Sequence, residues 1–226
     1  MCSRYSLISP PDAVRSYFRL AEIDTFPPRY NIAPTQPVGI IRHSVQRMPE
    51  FALVRWGLIP GWVKNPMERS TLVNARAESA MDKPSFRGAL RHRRCLVPAD
   101  AFYEWSGRSG AKVPYLIRPR NGGLMALAGL WEHWVGADGS ELETMAILTV
   151  AANATLAPVH DRMPVILSPD VHSEWLDCRS GRSVEIARLL CAPVDDMLET
   201  VEISTTVNDV RNEGPALHVG IRRTLL

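Results

Sequence analysis

The sequence predicts an α+β fold built mainly from antiparallel β-strands that close into a barrel or sandwich, with short helices at the periphery. Runs rich in β-branched, aromatic and aliphatic residues recur along the chain and are bounded by turn formers. In addition, 18 prolines and 14 glycines divide the 226 residues into short segments, which argues against a helical bundle. Because no linker or repeat interrupts this pattern, we expect a single domain over residues 1–226.

The individual elements follow from local composition. Two glycine-containing segments, residues 107–112 and 135–140, have the composition of hairpin turns. An extended proline-rich segment leads into a strand at residues 38–42. The predicted helices are residues 12–21, 168–176 and 183–190. The other predicted strands are FALVRWGLI, RCLVPADAFYEW, PYLIRP, GLMALAGLWEHW, TMAILTVAA and LETVEIST.

Charge and hydropathy restrict the choice of partners. The formal net charge is only +2, so binding to nucleic acid would require the basic residues to be gathered on one face. The N-terminal segment lacks the apolar stretch of a secretory signal, and no stretch is long and apolar enough to span a bilayer. We therefore expect a cytoplasmic protein without membrane contact.

The four cysteines lack the spacing of a metal site. None forms a CxxC pair or lies in a Cys/His cluster, so we expect no metal and free thiols. Cys95 lies in an apolar run and is predicted to be buried, and Cys191 is expected to pack as well.

Cys2 differs from the other cysteines because of its position. Removal of Met1, which is common before a small side chain, would leave a free α-amine and a thiol on one residue. Ordinary pKa values of about 8 and about 8.5 leave both groups partly nucleophilic near neutral pH. The amine condenses with an aldehyde, and the thiolate then closes a five-membered thiazolidine. Position alone is also compatible with chance, because some proteins simply begin with Met-Cys.

Eight short segments occur along the chain in a recognisable order: MCSRY, RYNIAPTQ, RWGLIPGW, NARAES, RCLVPADAFYEW, AGLWE, HDRMPVIL and ISTTVNDVRNEGPAL. Over nearly the whole chain they resemble the SRAP (SOS response-associated peptidase) family, also called abasic-site processing proteins. The resemblance implies a β-rich α+β fold. It also implies a thiazolidine crosslink between the N-terminal cysteine and the ring-opened aldehyde of an abasic site in single-stranded DNA. We expect a monomer that needs no cofactor and associates with the nucleoid when it acts on DNA.

Three further residues match the catalytic positions of the family. Asn74 is either a loop-capping residue or an amide that orients the N-terminal amine or the sugar hydroxyls. Glu104, on a predicted strand, is either solvated or buried with a raised pKa that suits a proton shuttle. His160 is either a structural residue tied to Asp161 or a proton donor to the opened sugar. The resemblance favours the catalytic interpretation of all three.

DNA binding requires cations for the phosphates and flat surfaces for the bases. Trp62 is a candidate to stack or wedge beside the abasic gap, and Pro34 and Thr35 are candidates for contacts with the DNA backbone. Three arginines, each within two residues of a catalytic candidate, predict a phosphate clamp; they are Arg4, Arg76 and Arg162.

The sequence departs from the family at two positions. Ser3 and Ala101 stand where the family usually has glycine. A side chain at position 3 would strain the backbone if the native conformation needs a positive φ.

Two other functions remain open from the sequence. Cys2 and His160 could form the nucleophile–base pair of a thiol peptidase or autopeptidase. The chain could also be a noncatalytic module that binds single-stranded DNA, in which case Cys2 would be dispensable.

Overall fold

The described part of the chain, residues 2–66, 71–108, 110–179 and 183–221, forms thirteen strands and five short α-helices in the computed structural model. The strands are β1 (Tyr5–Leu7), β2 (Arg29–Ile32), β3 (Pro37–His43), β4 (Pro49–Trp56), β5 (Asn74–Arg76), β6 (Arg94–Ala99), β7 (Ala101–Ser106), β8 (Val113–Pro119), β9 (Met125–Val135), β10 (Glu141–Ala151), β11 (Arg162–Pro164), β12 (Ile166–Leu167) and β13 (Leu198–Glu202). The helices are α1 (Pro11–Phe18), α2 (Ala77–Ala80), α3 (Pro84–His92), α4 (His172–Leu176) and α5 (Ser183–Ile186).

Five strands close into a barrel. The order is β3, β4, β10, β9 and β6, and β6 pairs with β3 to complete the ring. All these pairs are antiparallel except that of β4 with β10. The long strand β10 also pairs with β5 and β11. Closure pairs the backbone groups that an open sheet would leave at its edges.

A smaller sheet lies beside the barrel, with the strand order β13, β8, β7, β1, β2. The N-terminal strand β1 has a neighbour on each side, because it pairs with both β2 and β7. This pairing fixes the first residues of the chain, which in most proteins are poorly ordered unless a sheet or helix holds them.

The two sheets share one hydrophobic core. Tyr5 of β1 is buried and makes an edge contact with the Trp56 ring of β4, with 5.2 Å between ring centroids. The Trp56 indole N–H donates to the carbonyl of Val73 at 2.9 Å. This chain of contacts ties the N-terminal strand to the segment that leads into Asn74. It is consistent with one domain over residues 1–226, and that division stays a prediction.

The predicted α+β class and its mainly antiparallel barrel are confirmed. Both predicted turns join antiparallel neighbours, β7 to β8 and β9 to β10. The first helix is shorter than predicted, because Arg19 adopts a left-handed backbone with φ 56° and ends the helix at Phe18. Helix α3 and strands β1, β2, β5, β11 and β12 were not predicted, and the single predicted strand RCLVPADAFYEW is divided into β6 and β7.

The cysteine predictions have mixed outcomes. Cys95 is fully buried, as predicted. The prediction that Cys191 packs is wrong, because Cys191 lies in the exposed connection between α5 and β13. No helix in the described ranges has the length and apolar character needed to cross a membrane.

Asn31, in β2, is a fully buried hydrogen-bonding centre. Its Nδ2 donates to three carbonyl oxygens, those of Val207, Asp209 and Asn212, at 3.3, 3.0 and 3.0 Å. Its Oδ1 accepts from Arg4 Nη1 at 2.7 Å, and the same nitrogen donates to the carbonyl of Val207 at 2.9 Å. The C-terminal segment is thereby fixed over β1 and β2.

Substitution Asn31→Ala is expected to lower the free energy of unfolding by about 3 kcal/mol, because it leaves several buried carbonyls and one guanidinium without their partner. The control is Asn121→Ala in the exposed turn after β8, which should change stability by less than about 0.5 kcal/mol. Urea denaturation measures both values. Equal stability of the two variants would contradict the role of Asn31.

Candidate active site

Cys2 lies directly before β1. The backbone N–H of Tyr103 donates to the carbonyl of Arg4 at 2.9 Å, so the pairing of β1 with β7 extends towards Cys2. The Cys2 side chain is 0% exposed, and its thiol donates to the Arg4 carbonyl at 3.9 Å. Met1, whose removal is predicted, lies outside the described residues.

The environment of Cys2 changes the chemistry expected of its thiol. Burial raises the pKa of the Cys2 thiol far above its ordinary value, and the nearby Glu104 carboxylate raises it further. This direction runs against the expectation of a partly ionised thiol near neutral pH, because a buried thiolate would lose its hydration.

Asn74 is brought into direct contact with Cys2. It begins β5, where it pairs with Ile147 of β10, and its Nδ2 donates to the Cys2 carbonyl at 2.8 Å. Its Oδ1 is buried and has no hydrogen-bond partner among the described residues. The amide therefore holds the backbone of Cys2 and leaves one acceptor available within the site.

Glu104, on β7, is buried and not solvated, which is the second of the two alternatives that the sequence left open. Its side chain is only 3% exposed. Burial raises the pKa of Glu104 from its ordinary value of 4.5 to about 7. Near neutral pH both of its protonation states are populated, so Glu104 can give up a proton or accept one.

His160 faces Glu104, with 3.8 Å between His160 Nε2 and Glu104 Oε2. Its Nδ1 accepts the backbone N–H of Arg162 at 2.9 Å and lies 3.0 Å from Asp161 Oδ1. Burial lowers the pKa of His160. A neutral ring that accepts at Nδ1 carries its proton on Nε2, the nitrogen that faces Glu104.

The three arginines do not form a set of free cations. Arg162 makes a bidentate ion pair with Glu78, in which Nη1 and Nη2 lie 2.7 and 2.8 Å from the two carboxylate oxygens. Arg162 Nη2 also donates to the carbonyl of Thr149 at 2.6 Å. Arg4 donates to Asn31 and the C-terminal segment, as described above. Arg76 differs from both, because it is exposed at the end of β5. Of the predicted clamp, Arg76 is therefore the arginine best placed to meet a phosphate.

Pro34 and Thr35 form the centre of a tight turn between β2 and β3. Thr35 has a φ of 73°, a conformation that a β-branched residue rarely adopts. Hydrogen bonds stabilise it: the Thr35 N–H donates to the Trp56 carbonyl at 2.7 Å, and the Gln36 N–H to the Ala33 carbonyl at 3.4 Å. The Thr35 side chain is exposed, so the turn presents it to solvent.

Trp62 and Trp105 have different surroundings. Trp62 is 52% exposed, which suits the predicted stacking role. Trp105 is only partly buried. Its indole N–H donates to Asn208 Oδ1 at 2.8 Å, and the guanidinium carbon of Arg4 lies 5.7 Å from its ring centroid. Local sequence patterns do not reveal these contacts, because the partners are more than 100 residues apart.

A cavity of about 620 Å³ between α1, β3 and α4 is lined by residues such as Tyr17, His43 and His172, and by none of the predicted site residues. The four catalytic candidates instead meet where β5 and β7 approach the start of the chain.

The comparison with protein families decides the classification. A family model described as SOS response associated peptidase (SRAP) matches residues 1–210. The chain belongs to the SRAP family.

Two relatives and one solved structure illustrate the range of SRAP proteins similar to this chain. Abasic site processing protein YoqW of Bacillus subtilis (strain 168) is 36% identical over 221 residues, which span 96% of this chain and 98% of that protein. Abasic site processing protein HMCES of Gallus gallus is 34% identical over 226 residues, spanning 86% of this chain and 66% of that protein. A crystal structure of a Bacteroides thetaiotaomicron protein superposes with a TM-score of 0.83 at 25% identity, covering 96% of this chain and 98% of that one.

The two departures from the usual SRAP pattern do not strain the backbone. Positive φ values in non-glycine residues of the described chain occur only at Arg19, Thr35 and Arg47, so neither Ser3 nor Ala101 is affected. Ala101 is buried at the start of β7, where its small side chain fits within the sheet.

Glu104 makes the stability of this SRAP protein depend on pH. Because its pKa is raised to about 7, the folded state favours the protonated carboxyl, and stability falls as pH rises from about 4.5 through 7. Relative to Glu104→Gln, which does not titrate, the wild type should lose a few kcal/mol over this range, since one pKa unit is about 1.4 kcal/mol. Denaturant titrations at pH values of about 4, 6 and 8 measure the difference.

The control for this prediction is Glu22→Gln, which removes an exposed carboxylate. That variant should follow the pH dependence of the wild type. Parallel curves for wild type and Glu104→Gln would show that Glu104 is not held in its protonated form by the fold.

Proposed function

We propose that this chain captures abasic sites in single-stranded DNA as a covalent thiazolidine, formed by the amine and thiol of Cys2 after removal of Met1. The observation that carries the proposal is the contact of Asn74 with the Cys2 backbone, next to Glu104 and His160. This arrangement holds the first reactive residue of the mature chain beside two groups that can move protons. The relatives are named abasic site processing proteins, which agrees with this substrate.

The proposed reaction begins at the amine. The α-amine of Cys2 adds to C1′ of the ring-opened sugar, and loss of one water leaves an imine. Sγ then bonds to C1′ while the thiol proton moves to the nitrogen, so the net change is the loss of one water. Because burial keeps the thiol protonated, it is the weaker nucleophile at the outset, and the amine reacts first.

Glu104 acts as the proton shuttle in this scheme. In its protonated form it gives a proton to the ring oxygen of the sugar as the C1′–O bond breaks and the aldehyde forms. As a carboxylate it accepts a proton from the amine or the thiol. A pKa of about 7 makes both directions accessible near neutral pH.

His160 and Asn74 position the opened sugar. The Nε2–H of neutral His160 points to the Glu104 side of the site, where it can donate to a sugar hydroxyl. The Oδ1 of Asn74, which has no partner among the described residues, can accept from the free amine or from a hydroxyl. Both groups act without changing charge during the reaction.

The thiol peptidase alternative is less well supported. A cysteine peptidase needs a thiolate, whereas burial raises the pKa of the Cys2 thiol. The base would also need to face the thiol, whereas His160 uses Nδ1 to accept from Arg162 and directs Nε2 towards Glu104. The geometry therefore favours proton transfer by Glu104 over a Cys2–His160 pair.

Intact mass spectrometry with an abasic single-stranded oligonucleotide tests the proposed function. The wild type should lack Met1 and gain one oligonucleotide with loss of one water, and the adduct should map to Cys2. Cys2→Ala should give no stable adduct, and Cys2→Ser should give only an imine that borohydride traps. The matched control is Cys191→Ala, which removes an exposed thiol and should react like the wild type.

A further variant blocks the amine alone. One glycine placed before Cys2 leaves the thiol intact and converts the amine to an amide, so capture should stop. A stable adduct with this variant or with Cys2→Ala would overturn the thiazolidine proposal.

Arg76→Ala should weaken binding to undamaged single-stranded DNA and reduce the slope of log K against log salt by about 0.7, because one phosphate contact to a single strand is lost. The control is Arg120→Ala, an exposed arginine between β8 and β9. Fluorescence anisotropy at several salt concentrations gives the slopes. The same slope for wild type and Arg76→Ala would exclude Arg76 from the phosphate contacts.

A further inference from the structure

The cavity of about 620 Å³ between helices α1 and α4 and strand β3 is far from the reactive residues. We name it the α1–α4 cavity. Sites for small organic molecules measure about 300–1,000 Å³ and combine an apolar lining with a few polar groups. The α1–α4 cavity has this size and composition, and its apolar lining includes Tyr17, Phe18, Ile41, Leu96 and Leu176.

Three rings form an aromatic group on one side of the cavity. The ring of His172, at the start of α4, stacks on that of Phe18, with 5.5 Å between centroids and 16° between planes. The ring of Tyr17 lies 4.9 Å from Phe18 and 5.7 Å from His172. Burial lowers the pKa of His172, so its ring is uncharged near neutral pH. The aromatic group therefore offers an uncharged surface to a flat apolar ligand.

Two arginines, Arg19 and Arg47, line the same cavity. Both are exposed, and within the described ranges neither guanidinium lies within ion-pair distance of a carboxylate. Arg19 ends α1 with a φ of 56°, and Arg47 has a φ of 66° in the turn that joins β3 to β4. Glycine adopts these backbone conformations with less strain. Strained backbone is often found at ligand sites, and here it carries two cations without partners.

The acidic residues of the lining do not cancel these two cations. Asp177 Oδ1 accepts from Arg179 Nε at 2.7 Å, and Glu174 is paired with Arg188. Asp170 is exposed, and a hydrogen bond from a neighbouring serine lowers its pKa, so it stays charged. Two unpaired guanidiniums thus stand against one unpaired carboxylate, and the excess charge of the cavity is positive.

The strand pairings place the α1–α4 cavity at the opposite end of the barrel from the reactive site. Arg55 of β4 pairs with Pro37 of β3 and with Thr144 of β10. From this level the cavity residue His43 lies six residues along β3. The β10 partner of Asn74 lies three residues away in the opposite direction. Nine residues of strand correspond to about 30 Å.

We propose that the α1–α4 cavity binds a small aromatic anion, that is, a flat apolar ring system that carries one carboxylate or phosphate group. The ring system packs against Tyr17, Phe18 and His172, and the anionic group meets Arg19 and Arg47, because guanidinium groups pair well with carboxylates and phosphates. This site is separate from the reactive residues, and its occupancy requires neither the amine of Cys2 nor DNA.

The probe for this site is anilinonaphthalene sulfonate, a flat anion whose fluorescence rises in an apolar environment. The full chain should bind it saturably, and Arg19→Gln/Arg47→Gln should weaken binding about tenfold, because two partly exposed ion pairs are lost. The matched control, Arg87→Gln/Arg91→Gln, removes two exposed arginines of α3 that do not line the cavity and should keep the wild-type affinity.

Displacement of the dye distinguishes the anionic group from the ring system. Naphthoate and naphthyl phosphate should displace the dye from the wild type, and the stronger of the two identifies the preferred anion. The uncharged naphthamide should displace it about tenfold more weakly, because it cannot pair with the guanidiniums. Equal displacement by naphthoate and naphthamide would contradict the role of the arginines.

A second variant fills the cavity and leaves its charges intact. Ser173 is an exposed lining residue on α4, so Ser173→Phe places a bulky ring in the cavity from a position that tolerates substitution. This variant should lose dye binding, and its thermal unfolding midpoint should stay close to that of the wild type. Unchanged dye binding would show that the dye does not occupy this cavity.

The outcomes separate this inference from the proposed function. Absence of dye binding to the wild type, or an equal loss of affinity in the α3 control pair, would overturn the α1–α4 cavity as an anion site while capture by Cys2 could still stand. Loss of binding in both cavity variants would support the site even if no covalent adduct with DNA formed, because the dye contains no aldehyde.

Discussion

The position of Cys2 depends on the pairing of the short strand β1 with both β2 and β7. A chain terminus normally moves freely, and a reactive group on it would sample many orientations. Here Tyr5 is anchored against Trp56, and the Trp56 indole in turn holds the Val73 carbonyl next to Asn74. The same contacts that bury the N-terminal strand therefore bring Asn74 to the backbone of Cys2. The placement of Cys2 beside Asn74 is in this way a consequence of core packing.

Burial also determines the protonation states of the site. The same low-polarity surroundings raise the pKa of the Cys2 thiol and of Glu104 and lower that of His160. All three groups thus tend towards their neutral forms. A site of this kind suits addition of an amine to an aldehyde, in which protons are exchanged between neighbours and no permanent charge is created. It suits a cysteine peptidase poorly, because that chemistry requires a stable thiolate.

Much of the fold could be predicted from the sequence, because the barrel strands are long and their composition is clear. The four catalytic candidates were found by their resemblance to a family, and their contacts with one another join residues more than 50 positions apart in the chain. Other features depend on tertiary structure alone. Nothing local shows that Arg162 is paired with Glu78, or that Asn31 binds the C-terminal segment.

The central claim is that C1′ of the abasic sugar becomes bonded to both the nitrogen and the sulfur of Cys2. NMR of the adduct formed by ¹⁵N-labelled protein and an oligonucleotide with ¹³C at C1′ tests this directly. The account predicts a tetrahedral C1′ carbon with a one-bond coupling to ¹⁵N and a chemical shift typical of a carbon that carries both sulfur and nitrogen. A trigonal imine carbon, or a carbon bonded to sulfur without coupling to ¹⁵N, would contradict it.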